Sequence, residues 1–173
     1  MQTSKLNVHD SRAALVAHLN GHDGLSILLG QDADAPREFY SASLCDTSHM
    51  CELGLICSGH GPLPQAFVFM GRGRAIVGHD SCVSVVELSG PEMIARRPIE
   101  GVFYEFLDVG AGGRILVVHE LGVALFSDDG SALWSKGTDV IEDAMIDDGG
   151  ALLLRFVDSV ECIRLALDSG EIL

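Results

Sequence analysis

The chain repeats itself at a constant spacing of 40 residues, and no other feature limits its fold as tightly. Arg74-Ala75-Ile76-Val77-Gly78-His79-Asp80 lies over Arg114-Ile115-Leu116-Val117-Val118-His119-Glu120 without a gap. The register continues, with Val83 over Val123, Val85 over Leu125, Gly90 over Gly130 and Met93 over Leu133. A third, weaker copy keeps the offset: Val157, Ile163, Leu165, Asp168, Gly170 and Leu173 fall under Val117, Val123, Leu125, Asp128, Gly130 and Leu133. A period of this length marks stacked supersecondary units, each burying its apolar face on the next. That restricts architecture and leaves function open.

Inside each unit, short apolar runs alternate with glycine and aspartate turns, the pattern of antiparallel meanders. Phe67–Met70, Val102–Leu107 and Ala144–Ile146 read as first strands. Ala75–Gly78, Ile115–His119 and Ala151–Phe156 read as second strands, and Val83–Leu88, Val123–Phe126 and Cys162–Leu167 as third. Turns at Ser89-Gly90, Asp129-Gly130 and Ser169-Gly170 lead into short fourth strands at Met93-Ile94, Ala132–Trp134 and Glu171–Leu173. Four strands in about 40 residues is the size of a propeller blade.

The stretch Leu116-Val117-Val118-His119-Glu120-Leu121-Gly122-Val123-Ala124-Leu125-Phe126-Ser127-Asp128-Asp129-Gly130-Ser131-Ala132-Leu133-Trp134 resembles the repeat of quinoprotein-type (PQQ-like) β-propellers, and Leu165-Ala166-Leu167-Asp168-Ser169-Gly170 resembles its ending. The resemblance covers residues 66–173 and implies a blade shape. It implies no activity, because quinone-dependent enzymes have many more blades and nothing here matches their cofactor or calcium residues. The expected fold is mainly β, with antiparallel four-stranded propeller-like blades repeating every 40 residues and a short N-terminal helix. It forms a single domain over 1–173, divided into a divergent helix and strand segment (1–65) and three blade-like repeats (66–173).

In the N-terminal segment, residues 10–20 read as a helix capped by Asp10 or Ser11 and stopped at Gly21. Leu25–Leu29 reads as a strand ended by Gly30, Phe39–Leu44 alternates weakly, and Leu53–Ile56 suits another strand. This segment has three possible roles: a fourth blade, a cover for an open sheet edge, or part of a dimer that completes the sheet.

Five cysteines, an odd number in no compact framework, and no apolar run near the ~18 residues of a membrane span point to a reducing cytoplasm. The net charge is −14, with eleven acids against three bases between Asp128 and Glu171. Such a surface repels nucleic acid and anionic membranes and attracts cationic proteins. It also serves solubility alone.

Two constellations could carry chemistry. Cys45, His49, Cys51, Cys57 and His60 offer five soft donors within 16 residues, a candidate zinc set without a Cys-x2-Cys knuckle. The His79-Asp80 and His119-Glu120 steps occupy one place in two repeats, with Ser159 and Val160 in the third. Neighbours on a strand point to opposite faces, so this reading makes each histidine structural and its neighbour not its partner. The glycine-arginine stretches Gly71–Arg74 and Gly110–Arg114 precede strands rather than helices, so they are hairpins and not phosphate loops.

The functional expectation is a non-enzymatic acidic protein-binding module, for instance an immunity-type antagonist of a basic toxin. Its binding face would use Asp128, Asp129, Asp139, Glu142, Asp143, Asp147 and Asp148. A small metal-dependent hydrolase using the 45–60 cluster and a structural or oligomerising β-repeat are the other two readings.

Overall fold

The computed structural model describes residues 6–30, 37–59, 61–110 and 112–173. The N-terminal segment forms β1 (Asn7–His9), α1 (Arg12–Asn20), β2 (Leu25–Leu29), β3 (Glu38–Cys45) and β4 (Met50–Cys57). The first repeat gives β5 (Gln65–Phe69), β6 (Arg74–His79), β7 (Cys82–Glu87) and β8 (Glu92–Pro98). The second gives β9 (Phe103–Asp108), β10 (Arg114–His119), β11 (Gly122–Ser127) and β12 (Ala132–Gly137), and the third β13 (Ile141–Ile146), β14 (Ala151–Phe156) and β15 (Cys162–Ala166).

The protein is mainly β, built from small sheets that follow the repeat. Sheet I has the order β1-β3-β4-β2, sheet II β5-β6-β7-β8, sheet III β12-β11-β10-β9 and sheet IV β13-β14-β15. Sheets II and III are four-stranded antiparallel meanders. In sheet IV the fourth strand shrinks to one bridge, Leu165 with Ile172. Sheet I is a four-stranded sheet but not a copy of the repeat, because β2 runs parallel to β4. Its chain order depends on α1, which carries the chain between β1 and β2.

Successive sheets share successive cores. Leu44, Cys51, Leu53 and Leu55 of sheet I pack on Ala75, Val77 and Val86 of sheet II. The opposite face of sheet II, with Ile76, Val83 and Val85, packs on Phe103, Phe106, Ile115 and Val117 of sheet III. The far face of sheet III, with Leu116, Val118, Val123 and Leu125, packs on Leu152, Leu154, Phe156 and Leu165 of sheet IV. A strand buried on both faces reads as an unbroken apolar run, which is why Ala75–Val77 and Ile115–Val118 show no alternation.

The two ends are finished differently. Leu15 and Leu19 of α1 cover the outer face of sheet I at Ile56. Gly54 lets the helix lie close, since a Cβ there would meet Leu19 at 2.6 Å. Ser11 caps α1 by accepting the Ala14 N–H at 3.1 Å, and Gly21 ends it. On the outer face of sheet IV, Arg155 pairs with Asp143 at 2.8 Å and Arg164 with Asp147 at 2.7 Å.

Backbone clasps recur at the repeat junctions. The Phe103 N–H donates to the Asp80 carbonyl at 2.6 Å, and the Ile141 N–H donates to the Glu120 carbonyl at 3.0 Å. Side chains reinforce them: Arg97 Nε donates to the Gly130 carbonyl at 3.1 Å and Trp134 Nε1 to the Leu167 carbonyl at 2.9 Å. Gly130 and Gly170 take positive φ beneath those strands, and a Cβ on Gly170 would press into the Trp134 ring at 2.7 Å. Trp134 thus packs between sheets.

Strand β8 extends well past Met93-Ile94, through Ala95-Arg96-Arg97-Pro98. These residues carry no apolar signal because β8 is an edge strand, and charge and proline suit an edge.

The interface between sheets II and III rests on a large-small pair. A Cβ on Gly78 would stand 2.3 Å from the Phe103 ring, whereas sheet III carries Val118 at the equivalent position and shares its core with Ile141. Gly78→Val is therefore expected to destabilise by about 1–3 kcal/mol through overpacking. Phe103→Ile should recover part of that loss. Urea unfolding of the two single variants and the double variant measures the coupling, and simple additivity would refute this account of the interface.

Candidate functional site

The hairpin joining β6 to β7 turns on two residues, Asp80 and Ser81, with His79 opposite Cys82. Asp80 has φ of 47°, a region non-glycine residues rarely occupy and which Asp and Asn tolerate best. That conformation breaks strand alternation, so the Asp80 carboxylate folds back onto its neighbour. His79 Nδ1 donates to Asp80 Oδ2 at 3.2 Å, and the other ring nitrogen, Nε2, lies 3.4 Å from Cys82 Sγ. The expectation that adjacent residues face apart is thus corrected for His79 and Asp80. Asp80 Oδ1 also accepts from the Ser58 N–H at 2.9 Å and the Ser58 hydroxyl at 2.7 Å, which ties the end of sheet I to this turn.

Cys57, the last residue of β4, completes the cluster. One donor atom each from Cys57, His79 and Asp80 lies within 4.8 Å of the others. His79 is 2% exposed, Cys57 4% and Cys82 5%. A cavity of about 210 Å³, lined by Gly30, Ser58, His79, Asp80, Ser81, Cys82 and Arg96, reaches the cluster from outside. An adjoining cavity shares Gly30, His79 and Arg96 and is lined by Ser84, whose buried hydroxyl has no hydrogen-bond partner among the described residues.

The charges of the cluster depend on one another. Burial disfavours the His79 imidazolium, but the bonds to Asp80 and the two thiols outweigh it and raise its pKa. Burial likewise pushes Asp80 up, and His79 and Ser58 overcome this and hold the carboxyl below its usual range. Cys82 is pushed up by burial and pulled below its ordinary value by His79 and Arg96, whereas at Cys57 burial prevails and the thiol is raised.

The repeat supplies an internal comparison. His119 occupies the same turn of sheet III, but its Nδ1 donates to the Glu100 carbonyl at 2.8 Å, and Gly122 stands where Cys82 does. Burial lowers the His119 pKa, with only partial relief from that carbonyl. The histidine belongs to the repeat; the two thiols and the folded-back carboxylate occur at His79 alone of the two.

The proposed soft-donor set is divided by the fold. Cys45 ends β3, and Cys51 lies in the core shared by sheets I and II, its thiol directed to the Glu52 carbonyl at 3.8 Å. Six residues of extended strand, about 20 Å, separate Cys51 from Cys57. His49 sits in the turn before β4, near Gly73, and His60 lies outside the described residues. Among the described residues, Cys57 alone of the set enters a three-donor group, with His79 and Asp80. No sequence spacing reveals that group, because its members come from two sheets.

A second polar cluster fastens α1 to sheet I. Glu52, 2% exposed, accepts from the Ser43 hydroxyl at 2.6 Å and bonds His18 Nε2 at 2.9 Å. His9 bonds Ser41 at 2.9 Å, and its ring lies 5.0 Å from that of His18 at a tilt of 46°. This cluster satisfies a buried carboxylate.

Of the acidic candidates, Asp128 pairs with Arg72 and Asp129 caps its own turn through Ser127 and Ser131. Asp143 and Asp147 pair with Arg155 and Arg164. Asp139, Glu142 and Asp148 are exposed and make no ion pair among the described residues. No helix among the described residues is long and apolar enough to cross a membrane.

Two outcomes test this electrostatic account. Asn tolerates the left-handed region, so Asp80→Asn removes charge without adding strain. It should cost about 1.5–3 kcal/mol at neutral pH, the worth of charge-assisted hydrogen bonds. A depressed carboxyl contributes above its unfolded value and loses that contribution as pH falls through its folded one. The gap between Asp80→Asn and the parent should therefore close in acid, below the ordinary carboxylate range. In chelator-treated protein, proton NMR should find His79 charged and His119 neutral at pH 7.5; equal titration of the two would contradict the assignment.

No family model matches the chain, and no curated protein matches it significantly. Among solved structures, a protein of unknown function from Bacteroides caccae matches with a TM-score of 0.41 and 18% sequence identity. The match covers 88% of this chain and 60% of that protein, so the chain spans about three fifths of its neighbour's length. A likeness at that level assigns neither fold family nor function.

Proposed function

We propose that this chain is a non-enzymatic protein-binding module that engages a cationic protein through the acidic surface of sheet IV. Antagonism of a basic toxin, in the manner of an immunity protein, is its concrete form. One observation carries the reading. Both arginines of sheet IV are already committed to Asp143 and Asp147, which leaves Asp139, Glu142, Asp148, Asp158 and Glu161 exposed and without an ion-pair partner among the described residues. Among these acids stand exposed apolar side chains: Met145 (53%), Val157 (56%) and Val160 (103%). Apolar groups within a charged rim form an interface that gains contact area from one and steering from the other.

The stacked meanders support reading sheets II, III and IV as propeller-like blades, used here as a scaffold for that surface. The five cysteines are unpaired, which suits a reducing, cytoplasmic setting. A hydrolase built on the 45–60 cluster finds less support, because β4 holds its cysteines apart.

The test is titration against purified basic nucleases. Binding should weaken about tenfold as salt rises from about 0.05 to 0.5 M. The variant Glu142→Lys/Asp148→Lys/Asp158→Lys/Glu161→Lys should lose binding and its salt dependence. Reversal of exposed Asp10 and Asp23, at the helical end, should leave both unchanged. Binding that ignores salt and the sheet IV reversals would sink the proposal.

A further inference from the structure

The junction of sheets I and II holds a buried donor set that repeat packing does not require. We propose that Cys57, His79 and Cys82 form a binding site for a thiophilic metal ion, zinc in the first instance, with Asp80 as the residue that orients the histidine.

The donors are of the right kind, and one pair is already at the right spacing. A tetrahedral zinc ion with bonds of about 2.0–2.3 Å places its ligand atoms about 3.3–3.8 Å apart. His79 Nε2 and Cys82 Sγ already stand 3.4 Å apart. Cys57 Sγ is within 4.8 Å of donor atoms of His79 and Asp80, and Cys82 meets the same imidazole at Nε2, so side-chain rotation must bring the two thiols together on the ion. Asp80 accepts from Ser58 at Oδ1 and from His79 Nδ1 at Oδ2, so its place is assigned to orienting the histidine rather than to the ion. It directs Nε2 toward the thiols, the carboxylate–histidine–metal arrangement of zinc proteins. Charge also balances. Two thiolates neutralise the ion, and Asp80 offsets Arg96, the remaining charge lining the cavity. That cavity of about 210 Å³ supplies an entry path and room for a water as fourth ligand.

The repeat argues against mere packing. In sheet III the same turn keeps the histidine, yet glycine replaces the cysteine and a backbone carbonyl replaces the carboxylate. The stack therefore folds around a histidine here without thiols. Both cysteines are free, so no disulfide accounts for them. The site lies at the opposite end of the stack from the acidic surface of sheet IV and is independent of any partner bound there.

The experiment is chelator-competition titration of the metal-stripped full chain with Zn²⁺, followed by Co²⁺ substitution read as the thiolate-to-cobalt charge-transfer band. One ion per chain is expected. Cys57→Ser and Cys82→Ser should each weaken binding by about 100-fold or more and diminish the charge-transfer band. Asp80→Asn should weaken it by about 10–100-fold while leaving the band's position unchanged. Cys45→Ser, Cys51→Ser and His119→Gln should bind as the parent does. Thermal melts of the stripped variants establish that each is folded before titration. Absence of stoichiometric binding by the folded parent overturns the proposal. So does binding that survives Cys57→Ser/Cys82→Ser, or that depends on Cys45 and Cys51 instead.

Discussion

Everything in this molecule depends on sheets buried on both faces. A single four-stranded meander cannot hide its apolar side chains, and sheets II and III carry them on two sides. Each is stable only as the filling between neighbours. The interfaces differ in how they are filled, with the Phe103 ring lying over Gly78 at one and Val118 and Ile141 sharing the core of the next. Close-packed interiors tolerate such exchanges of bulk only when both sides change together.

That constraint explains which parts of the architecture the sequence reveals. Runs such as Ile115–Val118 are apolar throughout because both faces are covered, and the glycine turns between them fall at the register of the repeat. The polar edge strand β8 shows only its first residues, since Arg96, Arg97 and Pro98 answer to solvent rather than to a core. Sheet I was legible only as isolated elements. The parallel pairing of β2 with β4 depends on where α1 deposits the chain, a long-range matter that local periodicity does not encode.

The candidate site was legible in halves. The His79-Asp80 step stands out because the repeat duplicates it, and Cys57 stands out as one of five soft donors. Their junction is invisible in the sequence because it forms between the end of β4 and a turn 22 residues later. Nearness along the chain suggested Cys51 as Cys57's companion, but an extended strand carries such companions apart and brings strangers together. The alternation rule failed at Asp80 for an equally local reason: one left-handed residue in a two-residue turn reverses the side chain it should have sent away.

The unlike ends of the stack have a further consequence. A layered body whose units couple only to nearest neighbours opens from its termini, one layer at a time. At the helical end, opening must break the Ser58–Asp80 tie and the buried Glu52 cluster together. At the other end, sheet IV has three strands, a single closing bridge and ion pairs in solvent. Fraying is therefore directional. The acidic surface rides on the layer with the lowest threshold for release, and a protein that grips it would clamp the stack at its loosest end.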